Sequence, residues 1–136
     1  MDRFASTRRG WTHNGVLDAG WPIKNELRLT LTGSAPELIG PNGFWLAEAP
    51  RITFEAALTT KAKQARVYWV TLATPPTFDA KRSVPFDIIG DGKLRRYVVD
   101  LPKIPGYEYM LTQLRIDPIV GGAKGDEVRV RAIGCR

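Results

Sequence analysis

Near its C-terminal end the chain reads LTQLRIDPIV, with Arg115 and Asp117 two apart inside an apolar alternation. On an extended strand residues i and i+2 share a face, so the two charges point the same way while Leu114 and Ile116 turn to the opposite side. Opposite charges so placed can pair, or tie down neighbouring segments through charge-assisted hydrogen bonds. Pro118 has no N–H to offer and should end the ladder. The glycine-rich GGAKGD then reverses the chain into VRVRAI, where Val128 and Val130 alternate with Arg129 and Arg131. The spacing predicts a structural clamp, Arg115 with Asp117, at the end of a hairpin rather than a ligand site.

Catalytic chemistry has little to stand on. Catalysis needs converging groups with tuned protonation, and the sequence has one histidine, His13, in an expected loop. No G-x-S-x-G elbow marks a serine nucleophile. A two-carboxylate glycosidase pair would have to come from Asp79, Asp87, Asp91, Asp100, Asp117 and Asp126, and nothing singles out two of them. The chain therefore reads as non-catalytic. Histidine–cysteine clusters with zinc spacing are absent. Asn14, Asp18 and Asn25 are the oxygen donors that could meet a structural calcium, but they lack the spacing of a known calcium loop. No metal and no cofactor are assigned. The one cysteine, Cys135, excludes an internal disulfide and, one residue from the end of the sequence, is expected to be a free thiol or an intermolecular bridge.

Aromatic residues are the remaining lead. Trp21, Trp45, Tyr107 and Tyr109 lie in or beside loops. Exposed Trp and Tyr rings offer flat apolar surfaces on which sugar faces or protein partners can stack. These four are the candidates for glycan or partner binding.

The elements that must position these groups are strands. Leu27, Leu29 and Leu31 alternate with polar residues, as do Ile52, Phe54, Ala56 and Leu58, then Val84, Phe86 and Ile88, then Tyr97, Val99 and Leu101. ARVYWVT, at 65–71, is apolar on both faces and reads as a central strand. Turn-rich stretches separate the runs, and Asp91-Gly92 predicts a tight hairpin joining 84–89 to 94–101. Ten prolines and thirteen glycines in 136 residues leave room for a turn or two of helix at most. The pattern is that of an all-β sandwich or barrel.

Length fits a single domain, 1–136, able to bury its own core. No apolar run approaches the ~20 residues that span a bilayer, and the N-terminus has no signal-peptide h-region. Synthesis in the cytosol is therefore expected, with no membrane association. Twenty basic against fourteen acidic residues give a charge of +6. That surplus suits an anionic partner, but the basic residues are scattered along strands, with no basic helix and no RNA-recognition pattern. Nucleic acid is disfavoured.

Taken in order, these features resemble the jelly-roll, galactose-binding-like modules of the carbohydrate-binding-module type. The resemblance rests on Phe4 and Gly10-Trp11, on LRLTLTGSAP, on VYWVTLATPPTF, on VPFDIIGDGKLRRYVVDL, and on the final LRIDP strand with its glycine loop and closing strand. It covers about residues 4–133. Two stretches depart from the pattern: PGYEYML replaces a Trp-x-Gly, and the basic VRVRAI replaces an acidic closing strand. The resemblance implies an antiparallel jelly-roll β-sandwich that binds rather than catalyses. Two functions follow as expectations. The first is a homo-oligomeric decoration or docking protein on a large assembly such as a virion, with protein subunits as partners and a particle-surface location. The alternative is an accessory module recognising a polysaccharide or cell-surface glycan, extracellular if excised from a longer protein.

Overall fold

The computed structural model describes residues 2–4, 7–19, 23–43, 45–46, 50–102 and 110–135. Among the described residues twelve strands run in chain order: β1 (Asp2–Arg3), β2 (Thr12–Asn14), β3 (Val16–Asp18), β4 (Leu27–Leu31), β5 (Glu37–Ile39), β6 (Trp45–Leu46), β7 (Arg51–Thr59), β8 (Gln64–Thr71), β9 (Ser83–Asp87), β10 (Asp91–Asp100), β11 (Met110–Val120) and β12 (Glu127–Cys135). Among the described residues the only helical segment is the 3₁₀ turn Ala80–Arg82, N-capped by the Asp79 carboxylate.

The strands form two antiparallel sheets. One has the order β10-β7-β12-β4-β3, with β1 also on β12; the other is β2-β5-β11-β8-β9, with β6 also on β11. This is the all-β jelly-roll sandwich expected of the carbohydrate-binding-module type. Alternation decides what lies between the sheets. Leu27, Leu29 and Leu31 of β4, Ile52, Phe54 and Leu58 of β7, and Val128 and Val130 of β12 are buried from one side. Leu38, Val67, Trp69, Leu114 and Ile116 meet them from the other. Phe86 of β9 crosses the gap to Phe54 and Tyr97, at centroid separations of 6.4 and 5.9 Å. Trp11 and Phe4 are buried as packing residues.

Two expected hairpins are not hairpins. β9 and β10 lie in different sheets, and so do β11 and β12, so Gly121–Asp126 and the Ile88–Asp91 stretch are arches across the sandwich. The physical reason is that alternation fixes which side chains face inward, and an arch preserves that pattern as well as a hairpin does. Pro118 also fails to stop its strand: β11 continues to Val120 with a register irregularity between Asp117 and Val120, the kind of bulge at which a strand proline is tolerated.

The Gly121–Asp126 arch is tied to the β7–β8 connection and to the end of β4 and the segment after it. Asp126 accepts hydrogen bonds from Thr60 Oγ1 at 2.6 Å and from its own loop's Ala123 N–H at 3.0 Å. Gly125 N–H donates to the Leu31 carbonyl at 2.9 Å, and Gly122 N–H to that of Ser34 at 3.2 Å. Gly121 and Gly125 take φ of 73° and 94°, values that side chains resist, which is why this turn is glycine-rich.

Truncating the ring that bridges the layers tests this account. Phe54→Ala should cost about 3–5 kcal/mol and lower the melting midpoint by roughly 10 °C or more, read by thermal unfolding. A half-buried control, Thr53→Ala on the other face of the same strand, should change it much less.

Candidate functional site

The outer face of the second sheet gathers the polar groups that the core excludes. Register sets out one row across five strands: Thr12 opposite Ile39, Ile39 opposite Arg115, Arg115 opposite Tyr68, and Tyr68 opposite Ser83. A second row carries Asn14 opposite Glu37, then Asp117 opposite Arg66 and Arg66 opposite Pro85.

Arg115 organises this face. Its Nε and one Nη donate to the two carboxylate oxygens of Asp117, each at 2.8 Å. The same Nη reaches Glu37 Oε2 at 2.7 Å. The guanidinium lies over the Tyr68 ring, 4.3 Å from its centroid, with Phe78 at 5.8 Å. Bidentate geometry and a flat aromatic support are what the planar guanidinium is suited to. The side chains of Arg115, Glu37 and Asp117 are only 20%, 27% and 15% exposed, so these bonds are partly shielded from water. The Asp117 bond, followed by its charge, raises the Arg115 pKa above the ordinary arginine value despite partial burial. Around the clamp, Asn14 Nδ2 donates to Glu37 Oε1 at 3.3 Å, Gln113 Nε2 donates to the Gly40 carbonyl at 2.9 Å, and Arg66 Nη1 donates to Ser83 Oγ at 2.6 Å.

The Arg115–Asp117 pair forms, but its place differs from the expected hairpin end. It sits mid-sheet, tying β11 to β5 and β8, not at a hairpin end. Sequence reasoning missed Glu37, 78 positions before Arg115, because it reaches Arg115 only through the pairing of β5 with β11. Tyr68 was legible in principle, since it is out of phase with the core residues Val67 and Trp69.

Of the aromatic candidates, Trp21, Tyr107 and Tyr109 lie outside the described residues. Trp45 is described only in its backbone, where it pairs with Leu111 at the other end of β11. His13 lies in β2, not in a loop, and its Nε2 is 3.1 Å from Asp18 Oδ2, which also receives Arg8 at 2.7 Å. Asp18 is therefore engaged by Arg8 and His13, and among the described residues no group of three or more His, Cys, Asp or Glu side chains could hold a metal ion. Most of the aspartates considered for glycoside hydrolysis are bound structurally: Asp79 by its cap, Asp91 by Arg95, Asp100 by Arg51, Asp117 by Arg115 and Asp126 by Thr60.

Cys135 is a free, half-buried thiol on β12, opposite Ile52 and packed against the core. Burial pushes its pKa up to about 11. The neutral thiol is favoured in the fold, so this contribution to stability is complete below the unfolded value near 9 and is lost as pH rises through about 11.

Similarity to known proteins enters at the level of structure. No protein-family model matches the sequence, and no curated protein matches it. Among solved structures, an adhesin domain of Lys-gingipain from Porphyromonas gingivalis superposes with a TM-score of 0.63 at 12% identity, covering 99% of this chain and 95% of that one. The second N-terminal cellulose-binding domain of Cellulomonas fimi β-1,4-glucanase C gives 0.58 at 17% identity, over 98% and 88%. The enzymatically active domain of tailspike protein 4 from bacteriophage CBA120 gives 0.60 at 14% identity, over 97% of this chain and 21% of that one.

Two measurements check the site. Arg115→Ala and Asp117→Ala should each cost about 1–3 kcal/mol, and the double variant should cost clearly less than the sum in a denaturation cycle. Native Cys135 should react with iodoacetamide at pH 8.5 on the order of a hundredfold more slowly than in the unfolded chain, because little thiolate is present.

Proposed function

We propose that the protein is a non-catalytic carbohydrate-binding module whose glycan surface is the outer face of the sheet centred on β11. The observation that carries this reading is the Arg115–Asp117–Glu37 network lying on Tyr68. Sugar recognition asks for fixed polar groups beside an apolar plane. Here the carboxylates are held by Arg115 yet keep unused lone pairs for sugar hydroxyls, and Asn14, Gln113 and Arg66 surround them. Because these side chains are already ordered by one another, binding loses less side-chain freedom than it would with mobile groups. Trp45, Trp21, Tyr107 and Tyr109 remain proposed contributors to the same role. Similarity to a cellulose-binding domain supports a neutral, β-linked polysaccharide as ligand.

A decoration or docking role, which the sequence placed first, now ranks second. Its support is the similarity to part of a phage tailspike. In that reading the sandwich is mounted on a virion or particle surface as a homo-oligomer, and Cys135 contributes an intermolecular bond. The two readings are compatible if the mounted module presents its glycan face outward.

Affinity electrophoresis through gels holding β-1,4-glucan, β-1,4-galactan or no polymer tests the first reading. Retardation by at least one neutral polymer is expected, with Tyr68→Ala weakening it by about tenfold, or about 1.4 kcal/mol. No retardation on any polymer would refute it. Light scattering with and without reductant tests the second: a discrete oligomer that collapses on reduction is its signature, and a monomer under both conditions rejects it.

A further inference from the structure

The other sheet presents a face of different character, and its composition is set by parity alone. On β7, Ile52, Phe54, Ala56 and Leu58 turn inward, so Thr53, Glu55 and Ala57 turn out. Register then sets out the outward rows. Leu94 lies opposite Ala57, Ala57 opposite Arg129, and Arg129 opposite Arg28. In the next row Arg96 lies opposite Glu55, Glu55 opposite Ala132, and Ala132 opposite Arg3. A β-bulge between Val130 and Ala132 adds an extra exposed arginine, Arg131.

Six arginines therefore share this face with Glu26, Glu55, Glu127 and Asp100, and Arg51 is paired there with Asp100, whereas the opposite sheet's outer face sets Arg66 and Arg115 against Glu37, Asp87 and Asp117. These side chains leave the face net positive. The state of its arginines also differs from that of Arg115. Arg129 is engaged, donating to the Gly92 carbonyl at 2.8 Å and lying 3.7 Å from Glu26. Arg3, Arg28, Arg96 and Arg131 are exposed, and none has an ion-pair or side-chain hydrogen-bond partner among the described residues. A cleft of about 590 Å³ opens on this face, lined by Arg3, Arg131, Leu94, Asn25 and Glu26. A second hollow, of about 210 Å³, is lined by Arg28, Thr30, Glu127 and Arg129 among others. Leu94 and Val98 are 49% and 52% exposed, and they give β10 an apolar strip beside the arginines.

We propose that this face is a second binding site, for an anionic polysaccharide whose carboxylate or sulfate groups are held by Arg3, Arg28, Arg96 and Arg131. The guanidinium fork matches either oxyanion in a bidentate manner. Unpaired arginines have no intramolecular bond to give up on binding. The strip of Leu94 and Val98 supplies an apolar surface for the sugar ring between charged groups. Single-stranded nucleic acid fits less well, because it asks for aromatic platforms and no aromatic side chain is on this face among the described residues. Duplex recognition asks for an element that enters a groove, and this surface is made of paired strands.

The test is binding of the whole protein to polygalacturonate, to dextran sulfate, to neutral β-1,4-galactan and to single-stranded DNA, at low and high salt. Binding to at least one of the two acidic polysaccharides is expected, weakening as salt rises, and which of the two binds identifies the oxyanion. Arg96→Ser/Arg131→Ser should weaken it at least about tenfold without lowering the melting midpoint. Arg3→Ser/Arg28→Ser serves as an independent pair. Tyr68→Ala should leave acidic-polymer binding unchanged, and the arginine variants should leave neutral-polymer binding unchanged, so failure of one site is distinguishable from failure of the other. No binding to either acidic polysaccharide, wild-type affinity in both double variants, or equal affinity for single-stranded DNA would overturn the proposal.

Discussion

The apolar layer between the two sheets is the constraint on which the rest of the molecule depends. Phe54, Leu58, Val128 and Val130 from one sheet, and Val67, Trp69, Leu114 and Ile116 from the other, are withdrawn from water together. Burial of this kind is the dominant favourable term in folding, and on a strand it can be satisfied only by alternate residues. Once those positions are committed inward, the intervening ones are committed outward, whatever their chemistry. The two outer faces are therefore by-products of the core in their placement, and free to vary in composition.

That freedom has been used differently on the two sides. Around β11 the charges are neutralised within the sheet: Arg115 is held by Asp117 and Glu37 and lies over Tyr68, and the surrounding amides and hydroxyls are bonded to neighbours. Partly buried groups of this sort must be satisfied locally, because an unpaired charge out of water is costly. Around β7 and β12, Arg3, Arg28, Arg96 and Arg131 stand exposed, where hydration makes partners unnecessary. One face is a rigid polar surface with most of its bonding internal, and the other is an open electrostatic one.

Structural similarity at such low sequence identity follows from the same division. A sandwich core tolerates wholesale exchange of one apolar residue for another while volume and patterning are kept. Function is carried by the faces and loops grafted on that core, and it is there that this chain departs from the familiar pattern, in PGYEYML and VRVRAI. The basic closing strand supplies Arg129 and Arg131 to the arginine face.

Much of this was readable without coordinates. Alternation identified the inward residues of β4, β7, β10, β11 and β12, the turn residues marked the breaks, and Arg115 with Asp117 was recognisable as a pair because two residues apart on a strand is a purely local relation. Tertiary structure decided what is not local. It placed β9 and β11 in one sheet and β10 and β12 in the other, because an arch and a hairpin leave the same alternation in the sequence. It brought Glu37 to Arg115, and it lined up Arg96, Arg3 and Arg28 from strands far apart in the chain. Sequence fixes which way a side chain points relative to its own strand; only the packing of two sheets against each other decides which strands, and hence which side chains, become neighbours.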